Sequence, residues 1–403
     1  MNIPSYIISA LTNDYIKVFL KKKGVSYSNL KKNELINKLN VMYSENKITP
    51  EERDEFLALF FKYGNNRVIV TNIVNILPTN PVLHKSKLER KLKQLKEPTG
   101  YFNDINNITD TDEKKDTLFY QQIYYDENNN TKLIERGFYR DEDIAVTDQD
   151  GDSIKGTQKI FTWTVLDIEN KVFRVHTRDT EPNYFGKNKT IRDINNKFLD
   201  IHKKIFSFNI VSAINEERTL YNIYKEMTEK AEAPFKEKID QDVKQEIAQL
   251  FISVSRKIGY KINNDNLKIP NRIERLFERG LINQQYNIYS QFEHGKIGII
   301  KRIVFFDKTG ANVSAMVKEI DENISSYDIY FDTRDTLDEQ KALNKLWAYW
   351  YYKSSIDNKK EKYEVKMEIS EDFYITHFLR RVLIEEVAEH VFSKFREFEV
   401  FDS

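Results

Sequence analysis

Apolar residues recur at helical spacing from the start of the chain. Ile16, Phe19 and Leu20, then Leu35, Ile36, Leu39 and Tyr43, each make one stripe of a short amphipathic helix. Gly24 breaks the pattern between them, and Ser28 is placed to cap the second helix. Thr49-Pro50-Glu51-Glu52 reads as a helix start: a threonine cap, proline at the first helical position, and a glutamate that closes a capping box. The third helix is expected to bury Phe56, Leu57, Phe60 and Phe61 and to end at Gly64. Residues 67–76 are rich in Val and Ile and read as a strand. In 85–96, Leu88, Leu92 and Leu95 fall on one stripe and Lys85, Lys87, Arg90, Lys91, Lys93 and Lys96 largely off it, the pattern of a basic amphipathic helix.

Past residue 116 the period shortens. Aromatic and β-branched runs at 117–125, 132–139, 159–167 and 171–177, separated by turn residues such as Asn128-Asn129-Asn130 and Glu169-Asn170, predict an antiparallel meander. Helical spacing returns at 191–206 and 216–256, with a break near Pro234, and at 268–282, closed by Gly280. Strands are expected at 296–306, 312–319, 327–331 and 363–369, and a terminal helix over 370–395 that buries Phe378, Val382, Ile384, Val387 and Val391. A tetrapeptide echo, Thr177-Arg178-Asp179-Thr180 and Thr333-Arg334-Asp335-Thr336, follows a strand-like run each time. The fold class read from this pattern is α+β: a small all-helical basic N-terminal module, then a larger region of antiparallel sheet and helices. The expected divisions are 1–97 for the module, 98–116 for a polar Asn- and Asp-rich linker, 117–258 for the meander with its helices, and 259–403 for a second α+β unit with a C-terminal helix.

Charge sharpens this division. The chain of 403 residues balances 63 basic against 63 acidic residues. Residues 1–97 hold 17 Lys and Arg against 9 Asp and Glu, which leaves 46 against 54 for the rest. A basic contact with a polyanion therefore belongs at the N-terminal end, and the acidic remainder suits a protein partner or self-association. The absence of cysteine excludes disulfides, thiolate metal sites and cysteine nucleophiles. No apolar run has the length of a membrane span and the first residues lack a signal-peptide pattern, so no membrane role is expected, and the location is read as cytoplasmic, or nucleoid-associated if DNA is bound.

The order Leu11-Thr12, Lys21-Lys22-Lys23-Gly24-Val25-Ser26 and Lys31-Lys32-Asn33-Glu34-Leu35-Ile36-Asn37-Lys38-Leu39 resembles the SAP motif, a helix-turn-helix element that binds DNA in chromatin-associated and repair proteins. Asn29-Leu30 stands where that family usually has one glycine, and the resemblance covers less than a tenth of the chain. It implies DNA contact through Lys21, Lys22, Lys23, Lys31 and Lys32. The basic helix adds Lys87, Arg90 and Lys91 as candidate phosphate contacts.

Catalytic patterns are sparse. Glu364-Val365-Lys366 has the Glu-x-Lys form of PD-(D/E)xK nucleases, in which the carboxylate holds magnesium and the lysine assists the attacking water. Its acidic partner is not obvious, Asp357 being close and Asp338 far; alternating charge on an outer strand face explains the same residues. Asp148-Gln149-Asp150-Gly151-Asp152 is similar to a calcium loop, but Lys159 occupies the position of the closing glutamate. The six histidines show no zinc spacing, with His202 and His377 placed in helical stretches as packing or surface residues. Walker A and GxGxxG sequences are absent. The Trp347 to Tyr352 aromatic group suits base stacking or core packing equally. The sequence thus reads as a non-enzymatic DNA-binding or scaffold protein needing no cofactor or metal. Its alternatives are a metal-dependent nuclease using Glu364 and Lys366, and a protein-protein adaptor in a microbial defence or chromosome-maintenance complex.

Overall fold

A computed structural model describes residues 3, 5–108, 115–147, 153–178, 190–261, 268–285, 296–306, 312–316, 334, 336–355 and 357–399. The fold is α+β, with every strand pairing antiparallel among the described residues. The chain divides into two units, Met1–Ile214 with Ser370–Glu389, and Asn215–Ile369 with His390–Ser403. The calcium-like loop at 148–152 and the expected strand at 327–331 lie outside the described residues.

In the first unit, helices α1 (Ser5–Ala10), α2 (Asn13–Lys22), α3 (Lys32–Ser44) and α4 (Pro50–Lys62) precede β1 (Gly64–Asn75). The capping box read from the sequence is present: Thr49 Oγ1 accepts from the Glu52 amide at 3.2 Å, and Glu52 returns a carboxylate to the Thr49 amide at 3.0 Å. Gly64, at φ +69°, turns the chain from α4 into the strand. Arg67 then reaches back from β1 to the carbonyls of Phe60, at 2.9 Å, and Tyr63, so a buried guanidinium satisfies the end of α4.

Helix α5 (Lys85–Gln94) follows, then β2 (Phe102–Asn103), β3 (Thr117–Tyr125), β4 (Thr131–Thr147), β5 (Ser153–Asp167), β6 (Val172–Arg178), α6 (Ile191–Phe206) and β7 (Asn209–Val211). With β12 (Tyr374–Leu383), the strands run in the order β2-β3-β4-β5-β6-β1-β12, β7 also pairing with β1, so the meander expected from β3 to β6 is present. The stretch 98–108 lies in this unit: β2 pairs with β3, and Ile105 and Ile108 are buried in the core that holds α1 to α4.

Strand periodicity gives the sheet two apolar faces. Tyr139, Trp163 and Val165 look to α1–α4, whereas Ile134, Phe138, Leu166, Phe173 and Val175 look to α5 and α6. Gly137 sits between Phe119 and Trp163, where an added Cβ would stand 2.7 Å and 2.9 Å from their rings.

The second unit holds α7 (Glu216–Asp242), α8 (Lys244–Ile258), α9 (Ile269–Gln284), and strands β8 (Gly298–Phe306), β9 (Asn312–Met316), β10 (Lys345–Lys353) and β11 (Lys360–Ile369) in the order β9-β8-β10-β11. Three expected boundaries move. α7 runs through Pro234 and ends at Asp242, because Met227, Phe235 and Ile239 keep burying its face on both sides of the proline; that packing outweighs the lost hydrogen bond. α9 continues past Gly280 to Gln284, the buried Ile282 extending its stripe. The terminal helix expected at 370–395 divides into β12 and α10 (Glu385–Glu397). Tyr374, Thr376 and Phe378 are buried at every second position, and this period of two overrides the coincidental four-residue spacing of Phe378 and Val382. His377 is therefore a strand residue. Half of the tetrapeptide echo lies outside the described residues; of the rest, Arg178 ends β6 and Arg334 is helical. No helix among the described residues is long and apolar enough to cross a membrane.

Candidate nucleic-acid interface

The hairpin at the N-terminal end is built by local capping. Thr12 Oγ1 accepts from the Tyr15 amide at 3.4 Å to open α2, whose last turn carries Lys21 and Lys22, the favourable sign at a helix C-terminus. Gly24 takes φ +68° with nothing near its missing Cβ, so handedness rather than crowding requires glycine there. Its amide donates to Lys21 O at 3.0 Å, and that of Val25 to Leu20 O at 3.0 Å. Ser28 is not the cap of α3. Asn29 takes the left-handed conformation, and Lys31 is the N-cap residue, its amide donating to Glu34 Oε2 at 2.6 Å. The glutamate closes the helix start from inside, which a search for a hydroxyl cap overlooks. Lys38 Nζ donates to Ser26 O at 2.6 Å and ties α3 to the turn.

The five hairpin lysines are not equivalent. Lys22 pairs with Glu386 at 2.6 Å, and Lys23 pairs with Glu52, whose carboxyl is held below its ordinary range by that bond. Lys31 is exposed and Lys32 half-buried at the opposite lip of the turn, with Lys21 half-buried at the end of α2. Buried Leu20, Leu35, Ile36 and Leu39 fix both helices from beneath.

On α5, Lys87 and Arg90 are exposed. Lys91 is half-buried, donates to Ser207 Oγ at 2.7 Å, and has its ammonium pushed down by burial. Leu88 and Leu92 seat α5 on the sheet face opposite the one covered by α2 and α3. The structure therefore gathers Lys21, Lys22, Lys23, Lys31 and Lys32 around one turn and sets Lys87, Arg90 and Lys91 on the other side of the sheet.

Glu364 and Lys366 lie in register on β11 opposite Tyr349 and Trp347 of β10. Glu364 is buried. Its Oε1 accepts from Trp347 Nε1 at 3.0 Å and faces Lys301 Nζ at 3.7 Å, while Lys366 pairs with Glu368 at 3.2 Å. The carboxylate thus has a cation and an indole N–H around it, and no group of three metal-ligating side chains occurs among the described residues. Trp350 is buried while Trp347 and Tyr349 are half-buried, so the aromatic group alternates between core and the Glu364 face.

Several polar arrangements had no sequence signal because their members are far apart in the chain. In the first unit, Lys62 Nζ meets Glu135 at 2.6 Å and Glu385 at 3.4 Å, with both Lys62 and Glu135 buried. A groove of about 300 Å³ between α2 and α4, floored by Tyr15, Phe19, Phe56 and Tyr63, has the Lys23–Glu52 pair on its rim. In the second unit, a cleft of about 550 Å³ between α7 and α9 is lined by Arg334, which pairs with Glu232 at 2.9 Å, Glu278 at 3.4 Å and Asp338 at 3.8 Å. These carboxylates saturate the guanidinium, so the cleft presents paired charge rather than an open anion site. His202 is a core residue, lying 2.7 Å from Phe198 O and 3.0 Å from Thr164 Oγ1.

No family model matches the sequence, and no curated protein is significantly similar to it.

Proposed function

We propose that the chain is a DNA-binding protein whose basic N-terminal helical module, similar to a SAP motif, contacts duplex phosphates. One observation carries this reading: α2 and α3 meet at a capped turn with lysines on both lips, Lys31 at the N-cap of α3 and Lys32 at its first residue. Positive side chains there oppose the helix dipole, and a polyanion bound at the turn would relieve that mismatch while meeting the amides at the helix start. Lys31, exposed at the N-cap, and Lys32 beside it are the principal contacts, because both stand at the amide end of α3. Lys22 and Lys23 stand at the carbonyl end of α2 and pair with Glu386 and Glu52. Contacts of this kind give affinity with little sequence readout. The acidic α+β remainder serves protein contact, and the location is intracellular.

The test compares Lys31→Ala/Lys32→Ala with Lys87→Ala/Arg90→Ala in duplex binding across a salt series. The hairpin variant should bind unrelated sequences more weakly and lower the slope of log affinity against log salt by roughly one to two units, about one per lost phosphate contact. The α5 variant should bind like the parent, since α5 faces away. Equal affinity and slope in the hairpin variant would remove the reading.

A further inference from the structure

Helix α8 presents more apolar surface than the described residues of its unit cover. Its inner stripe is Ile247, Phe251 and Ser255, of which Ile247 and Ser255 are buried and Phe251 is half-buried. Each is followed three residues later by a large apolar side chain that is not covered: Leu250 is 56% exposed, Val254 44% and Ile258 72%. Residues three and four apart are neighbours on a helix, so these three form a second stripe alongside the first. α9, which packs on α8, adds exposed Leu276 and Phe277. A clustered stripe differs from scattered surface leucines and marks a contact.

We propose that the uncovered stripe of α8 docks on the same stripe of a second copy of this chain, with the two helices antiparallel about a twofold axis near Ile252. The charges flanking the stripe select this occupant. Glu246 and Lys257 stand eleven residues apart, about three helical turns, and therefore share one flank of the helix, beside Leu250. Both are exposed. In an antiparallel pair centred near Ile252, Leu250 meets the partner copy's Val254, and Glu246 of each copy meets Lys257 of the other, twice by symmetry. In a parallel pair Glu246 and Lys257 of the other copy stand about 16 Å apart along the axis, so both complementary pairs are lost. One helix is thus complementary to itself in only one of the two orientations, as an isologous interface requires. The stripe is small against the roughly 800 Å² per partner of a stable dimer, so association belongs in the micromolar range. It uses none of the residues of the DNA contact.

Sedimentation velocity of the nuclease-treated full chain, from about 1 to 100 μM, tests this. A reversible monomer–dimer equilibrium is expected. Leu250→Asp/Val254→Asp should be monomeric throughout with unchanged circular dichroism and thermal midpoint, because neither side chain is in the core. Glu246→Lys alone, or Lys257→Glu alone, should weaken the dimer roughly tenfold by turning two attractive pairs into repulsive ones, and the double variant should restore it. A chain monomeric at all these concentrations would overturn the proposal, as would a dimer indifferent to the aspartates. Failure of the charge exchange to rescue would overturn the antiparallel arrangement. None of these outcomes bears on the hairpin variant's salt slope, so the two proposals fail separately.

Discussion

Replacing Lys62 by methionine probes a buried ion pair that joins helix to sheet in the first unit. Lys62 is the last residue of α4 and Glu135 lies on β4; their 2.6 Å contact joins helix to sheet, with side chains 9% and 7% exposed. Methionine keeps most of the volume and removes the charge, leaving Glu135 buried with its close cation gone. Breaking a buried pair from one side costs about 3–5 kcal/mol, most of it the desolvation of the orphaned charge. Glu385 provides no substitute, being a carboxylate itself, and its own 3.4 Å contact with Lys62 is half-exposed and of little worth. In Lys62→Met/Glu135→Leu both charges leave together, so that variant should recover most of the loss. Burial pushes the ammonium of Lys62 down, but the attraction of Glu135, with Tyr63 and Glu385, outweighs it and holds the group well above its ordinary value. Stability from a raised basic pKa is complete below the unfolded value of about 10.5 and is lost only as pH rises through the folded one. Guanidinium denaturation at pH 7, followed by circular dichroism, therefore measures the whole effect. A loss under about 1 kcal/mol in the single variant, or a double variant as unstable as the single, would refute the argument from orphaned charge.

Gly137→Ala should destabilise the first unit by about 1–3 kcal/mol in the same denaturation assay, since its Cβ has no room between Phe119 and Trp163; a neutral result would mean the rings shift freely. Burial, and after it the charge of Arg136, pushes His202 down to about 3. Its contribution is present above the unfolded pKa near 6.5 and is lost as pH falls toward the folded one, by about 2–3 kcal/mol at pH 4.5. His202→Gln should flatten the stability profile between pH 6.5 and 4.5, and an unchanged slope would dissociate it from acid sensitivity. Incubated with magnesium, the chain should leave plasmid DNA intact; cleavage abolished by Glu364→Gln would replace the binding reading with a catalytic one.

Local signals carried much of the helical and strand content. Thr49 with Glu52 fixed the start of α4, Gly24 the end of α2, and the aromatic alternation from residue 117 onward the β3 to β6 meander, because capping and a period of two are decided within a few residues. The lysines around the turn were legible for the same reason. Where competing periods overlap, only packing decides: Tyr374–Leu383 satisfies helix and strand spacing alike until the sheet buries every second residue, and Pro234 reads as a break until apolar contacts on both sides hold α7 together. Tertiary structure alone placed Lys62 against Glu135, 73 residues away, and Arg334 among Glu232 and Glu278. It also put the two basic helical segments, both written plainly in the sequence, on opposite faces of one sheet. A periodicity states which side of a helix is buried; which face of the sheet receives it follows from strand order and register, set by pairings distant in the chain.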